Sequence, residues 1–239
     1  MNRLETQLYF WKRLKEKHKK ELFLVEDYYN RTKLQFVNIE IEAENHADLL
    51  YNNYPATEDT DQASVAEWAT EQGIEMYETL SIMKSNHLLM AISMLYHIWE
   101  QQLIKFTIRE LENYLKFDKK ALVYSKVQLI FQLHGINIID TKSWKRIREL
   151  KFLVNTIKHG GGDSAEKLRK IRPDFFELDV ISGADTLELN GSVLLDEYSL
   201  QVKESDLFNY VKATKSFWDE MPESAFSDVE TIIKAFEDK

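Results

Sequence analysis

Only two residues among the first 134, Pro55 and Gly73, disfavour a helix interior by their nature. Pro lacks the amide donor and Gly carries the largest backbone entropy. The rest of this half is rich in Leu, Lys, Glu, Gln and Met, all good helix formers. The sequence therefore predicts two long helices, over about 3–52 and 62–116. An unbroken helix of about 50 residues would span about 75 Å. That is long for a compact body, so each helix is expected to break once, near Asn30 and near Gly73. Tyr54-Pro-Ala-Thr-Glu-Asp-Thr-Asp61 forms the loop between them, with Thr60 or Asp61 as the cap.

Gly and Pro return in the second half and punctuate it. A helix over about 122–134 ends at Gly135, the residue type that best accepts a left-handed C′ position. Asp140 or Thr141 caps a helix over about 142–159, which stops at Gly160-Gly161-Gly162. Asp163-Ser-Ala-Glu166 has the spacing of a capping box and starts a short helix that ends before Pro173. Asn190-Gly191, a favoured hairpin turn, sits between partly alternating apolar residues and predicts a small β-hairpin near residues 186–202. Helices over about 205–220 and 225–238 close the chain. The expected fold is mainly α: an antiparallel helical bundle in one domain, residues 1–239. It comprises a long helical hairpin (about 3–116), motif-bearing helices (about 122–172), then the β-hairpin and C-terminal helices (about 177–239).

Composition narrows the function classes. Apolar residues make up 44% of the chain, enough for a real core, and no uninterrupted apolar run reaches the length of a membrane span. The first twenty residues lack an apolar run followed by a small-residue cleavage site, so no secretory signal and a cytoplasmic location are expected. The chain has no Cys, which excludes disulfides, thiol nucleophiles and zinc–thiolate sites. The net charge of −9 argues against bulk nucleic-acid binding, so any such contact must be local.

One locality stands out. Residues 142–172 hold ten Lys or Arg against three acids, a net of +7, so the remainder sums to −16. Within the helix over 142–159, Arg148, Phe152, Asn155 and His159 fall within about 60° of one another. Asn155 and His159 are one turn apart and can act on one small group. Arg148 lies about 16 Å from His159 along the axis and cannot share a phosphate with it in one unbroken helix. His159 opens onto the glycine loop. Backbone N–H groups of Gly161, Gly162 and Ser164 could hold a phosphate there, with Lys158, Lys167 and Arg169 adding charge. Imidazole moves protons near neutral pH, as cleavage of RNA by 2′-OH attack requires. The same Asn155 and His159 would also suit a plain helix end, where His interacts well with the macrodipole. The loop lacks the Lys-Ser/Thr of a nucleotide-binding P-loop, which speaks against ATP or GTP hydrolysis.

The segment over 86–106 is apolar almost all round but carries Asn86, Ser93, His97 and Glu100 on one stripe. Glu100 or His97 could face His159 and fix its tautomer, or the stripe could be a structural network or an interface. His97/Glu100, Glu42/His46 and His18/Glu21 have ligand-like spacing but no matching partner motif, so neither a metal nor any other cofactor is expected. The run Lys12–Lys20 holds six cations and one acid. It is expected to be a solvated helix face, or else a second phosphate contact.

Val154-Asn155-Thr156-Ile157-Lys158-His159-Gly160, at the end of a late helix in an all-helical chain, resembles the HEPN superfamily motif. That motif is an Arg, usually followed at once by Asn, Asp or His, then His several residues on. Asn155 and His159 map onto it directly; the family Arg falls at Val154, and the nearest cations are Lys151, Lys158 and Arg148. Glu100 resembles a polar residue that several such families set opposite the motif. The resemblance covers roughly 62–172. It implies metal-independent RNA cleavage by a homodimer in bacterial toxin or anti-phage systems, with His159, Asn155 and Glu100 as catalytic residues. Without the Arg, the same resemblance accommodates a non-catalytic RNA-binding or assembly module with a protein partner.

Overall fold

The computed structural model describes residues 5–178, 181–190 and 199–237. The chain opens with strand β1 (Glu5–Tyr9), whose Thr6 and Leu8 point inward. Helix α1 (Lys12–Thr32), a 3-10 turn (Lys33–Phe36) and α2 (Ile39–Asn52) follow. α3 (Gln62–Leu111) is the longest element. Next come α4 (Tyr124–Leu133), α5 (Trp144–His159) and α6 (Asp163–Ile171). After them stand β2 (Glu177–Leu178), β3 (Ile181–Asp185), α7 (Thr186–Asn190), α8 (Glu204–Glu220), β4 (Ser224–Asp228) and α9 (Val229–Glu237). The fold is mainly α, with two short antiparallel strand pairs, β1–β4 and β2–β3. Among the described residues no helix is long and apolar enough to cross a membrane.

The first long helix is interrupted at 33–38, a few residues after Asn30, and its N-terminal end is a strand rather than helix. β1 finds its partner near the far end of the chain, with Thr6 opposite Ser227 and Leu8 opposite Ala225. Such long-range pairing leaves no local signal. It also replaces the start of the helix expected over 225–238.

α3 does not break at Gly73. The glycine is tolerated because α2 lies directly on it: a Cβ there would sit 3.0 Å from Ala47 Cβ and 3.2 Å from the Ala43 carbonyl oxygen. Asp61 caps α3, accepting from the Ala63 amide at 3.1 Å. The C-terminal half of α3 carries the core, with Ile92, Leu95, Trp99, Leu103 and Phe106 against α1, α4, α5 and α8. Gln102 locks this centre. Its amide donates to the His18 carbonyl oxygen (3.1 Å) and to Glu21 (2.9 Å), while its oxygen accepts from the Trp218 indole at 3.0 Å.

Two caps differ from expectation. α5 begins at Trp144 with Ser143, not Asp140 or Thr141, at the N-cap and no side-chain cap; Glu220 at the end of α8 pins the approach to the helix, accepting from Lys142 N (2.5 Å) and Ser143 N (3.1 Å), while the Trp144 amide donates to the Thr141 carbonyl oxygen at 3.1 Å. α6 starts from Gly162 with no side-chain cap, so the Asp163/Glu166 box does not form. The β-hairpin is also displaced. Residues 186–190 are helical because Asp185 accepts from the Glu188 amide (2.9 Å) and buried Thr186 donates to backbone oxygens of Phe176 and Ser199. The antiparallel pair lies just before, at 177–185, and Gly191 with the residues to 198 lies outside the described residues.

A buried ionic network fastens α5 to α8. Glu149, 3% exposed, accepts from Arg146 (2.9 Å), Arg172 (2.7 Å) and the Tyr210 hydroxyl (2.8 Å). Arg172 also donates to Asp206 (2.9 Å) and Asp174 (2.7 Å), and its guanidinium lies 3.7 Å from the centre of the Phe175 ring. Burial works against the charge on Arg172, but these three carboxylates outweigh it and hold the group above its ordinary pKa. Removing one member of such a cluster leaves a buried charge without its partner. Glu149→Ala is expected to cost about 3–5 kcal/mol in chemical denaturation; a loss near zero would show that the network is slack.

Candidate functional site

α5 turns Ile147, Leu150, Leu153 and Val154 into the core. Val154 is 3% exposed, so the position that matches the family Arg faces apolar neighbours and has no outlet to solvent. The opposite face carries the stripe expected from spacing: Arg148 is exposed, Phe152 and Asn155 are partly buried, and His159 is exposed at the last turn. Gly160 then ends the helix with φ +70°, its amide donating to the Thr156 carbonyl oxygen at 2.8 Å. Gly161 and Gly162 are exposed with open space around them, and Ser164 is partly buried on the first turn of α6. Two carboxyl residues, Asp163 and Glu166, occupy that same first turn. They already complement the helix dipole and oppose a second anion there.

The basic island divides in two. Arg146 and Arg172 belong to the Glu149 network. Arg169, expected to hold phosphate, is instead ion-paired with Asp185 at 2.5 Å and lies over the Phe176 ring at 4.8 Å. Lys151 is half-buried, its ammonium 4.7 Å from the centre of the Tyr124 ring. Lys142, Lys145, Arg148, Lys158, Lys167 and Lys170 remain exposed. Lys167 on α6 reaches across to the Phe152 ring at 6.0 Å, which joins α6 to the α5 stripe.

Glu100 is placed elsewhere than expected. Its carboxylate accepts from the Tyr96 hydroxyl at 3.1 Å. Its electrostatic neighbours are Lys151 on α5 and Tyr124 on α4. Among the described residues no hydrogen bond or ion pair joins it to His159. Lys151 is one turn before Asn155 on the same face of α5, so Glu100 meets the stripe two turns short of the histidine. Burial pulls the Lys151 ammonium below its ordinary pKa; Glu100 opposes the shift and Lys167 adds to it. Burial pushes the phenols of Tyr96 and Tyr124 up, and Glu100 raises both further. The Tyr124 hydroxyl is buried with no hydrogen-bond partner among the described residues. Neither tyrosine announces itself in the sequence, since both look like core aromatics.

The other members of the α3 polar stripe turn away from this junction. Asn86 and Ser93 donate to carbonyl oxygens one turn back, of Ile82 (2.8 Å) and Leu89 (2.9 Å). With exposed His97 they line a groove of about 1130 Å³ between α1 and α3. Among the described residues no three His, Asp or Glu side chains converge as a metal would need. No protein-family model, no curated protein and no solved structure matches this chain.

The Glu100–Lys151 relation can be read chemically. Removing the Glu100 charge lowers the Lys151 pKa further and enlarges its neutral-amine fraction. Acylation of Lys151 at pH 8, followed by peptide mass spectrometry, is therefore expected to be faster in Glu100→Gln than in the parent chain. Slower labelling would contradict the placement of Glu100.

Proposed function

We propose that this chain is a HEPN-like, RNA-directed protein, a metal-independent ribonuclease acting in the cytoplasm as a toxin or effector of bacterial anti-phage defence. One observation carries the reading: the fold engages Lys151, Arg169 and Arg172 internally, yet leaves Arg148, Lys158, His159 and Lys167 exposed around the α5 stripe. An exposed set of cations flanking an aromatic ring and an Asn–His pair suits a single-stranded RNA better than a folded protein core. His159 takes the proton from a ribose 2′-OH as its oxygen attacks phosphorus. The P–O5′ bond breaks as the 2′,3′-cyclic phosphate forms, and the leaving 5′-oxygen takes a proton from water. Asn155 hydrogen-bonds the 2′-OH or a phosphate oxygen, Lys158 and Lys167 meet the phosphate charge, and Arg148 meets a phosphate further along the strand. Glu100 acts at one remove, through Lys151.

A second reading, a non-catalytic helical assembly module of a defence or regulatory complex, draws on two facts. The position of the family Arg is a buried Val154, and Glu100 is engaged with Tyr96 and Lys151.

The test is cleavage of a fluorescent single-stranded RNA panel by purified protein in chelator. The parent chain is expected to cut, and His159→Ala to lose about 10²-fold or more of the rate. Because His159 is exposed, its melting temperature should stay within a few degrees of the parent's. A chain that binds RNA through Arg148 and Lys158 without cutting it establishes the second reading. One that neither binds nor cuts removes RNA from the account.

A further inference from the structure

At the junction of α3, α4 and α5 two buried donors have no acceptor. The Tyr124 hydroxyl and the Trp99 indole N–H lack a hydrogen-bond partner among the described residues, and their rings lie 5.9 Å apart. Tyr124 is 9% exposed and Trp99 is fully buried. Buried donors of this kind ordinarily find an acceptor. The nearby carboxylate, Glu100, receives the hydroxyl of Tyr96 instead, at 3.1 Å.

Lys151 is set against the same tyrosine. Its ammonium stands 4.7 Å from the centre of the Tyr124 ring, and among the described residues it has neither an ion pair nor a hydrogen bond. An ammonium only donates, so it adds to the surplus of donors rather than relieving it. Burial and the neighbouring Lys167 disfavour its charge, while Glu100 favours it. A lysine partly stripped of its charge in this way is an activated nucleophile. The solvent face beside it is cationic. Arg148 lies one turn earlier on α5, Lys158 two turns later, and Lys167 faces them from α6; all three are exposed.

We propose that Lys151 is an acyl-acceptor site, modified by a small acyl phosphate, and that the acyl oxygen supplies the acceptor that the Tyr124 hydroxyl lacks. The donor is an anion, so Arg148, Lys158 and Lys167 draw it to this face. The neutral Lys151 amine attacks the carbonyl carbon of the donor. A C–N bond forms, the C–O bond to phosphate breaks, inorganic phosphate leaves, and the proton shed by nitrogen passes to water. The product is an uncharged amide, which burial opposes less than an ammonium. Its carbonyl oxygen accepts from the Tyr124 hydroxyl and satisfies a buried donor. Because the seat is half-buried, it favours a short acyl group such as acetyl over a long chain.

The site does not depend on RNA chemistry, and its test uses the full chain and acetyl phosphate with no RNA present. Peptide mass spectrometry over time at pH 8 is expected to show Lys151 acetylated about threefold or more faster than the more exposed Lys142, Lys145 and Lys170. The acetylated protein should melt at a higher temperature than the untreated one. Lys151→Arg, which keeps the charge and removes the acceptor amine, should lose that increase while its other lysines still react. Tyr124→Phe keeps the ring under the amine and should still be labelled at Lys151, but should lose most of the increase. Labelling of Lys151 no faster than that of the exposed lysines overturns the proposal. So does an unchanged melting temperature after acetylation, or an increase that Tyr124→Phe retains in full. Each result can occur whether or not the protein binds or cuts RNA.

Discussion

Fifty residues of uninterrupted helix, with one glycine among them, set the frame on which the other elements are placed. α3 has two different halves because its neighbours differ. Its C-terminal half is wrapped by α1, α4, α5 and α8 and holds Trp99, Leu103 and Phe106 fully inside. Its N-terminal half has α2 as its main companion, brought close by small residues at 43, 47 and 73. A helix of this length stays straight only while its hydrogen-bond ladder is intact. The choice of Gly73, which permits close packing without breaking the ladder, is therefore decisive. Its conformational cost, about 1 kcal/mol against Ala, is offset by the contact it allows.

Charge is the second organising quantity, and its distribution matters more than its sum. The basic island is half structure and half surface. Glu149 of α5 and Asp206 of α8 hold Arg172, at the end of α6, between them and so clamp the three helices together; Arg169 of α6 pairs with Asp185, and Arg146 pairs with Glu149 on its own helix. That clamp fixes the orientation of α5, and hence which of its faces meets solvent. The exposed stripe from Arg148 to His159 lies opposite the core-facing residues Ile147, Leu150, Leu153 and Val154, and the ionic network beside it holds the helix in that orientation. Residues 34–83, with eleven acids and no Lys or Arg, lie in a different part of the chain, so the two regions differ in the sign of their charge.

Much of this was legible without coordinates. The scarcity of Gly and Pro announced the long helices, Gly135 and Gly160 their ends, and angular spacing the Arg148–Phe152–Asn155–His159 face. What escaped depended on contacts between distant residues. β1 is helix-like in composition and becomes a strand only because Ser224–Asp228 lies beside it. Glu220 holds the backbone of Ser143, 77 residues earlier in the chain, at the start of α5, where a local side chain had looked sufficient. Glu100 was recognised as a special polar residue, but its partner could not be read from spacing: the rotation of α3 against α5 brings it to Lys151, not to His159. Arg169 counted as a free cation until Asp185 was placed beside it.

The central claim is that the solvent face of α5, with the adjoining face of α6, is where this protein meets RNA. Photo-cross-linking of a single-stranded oligouridine, followed by mass spectrometry of the peptides, tests it most directly. Adducts confined to residues 148–167, with Phe152 and His159 foremost, are the predicted result. Adducts on the Lys12–Lys20 helix face, or none above the level of a scrambled-charge control, would contradict it.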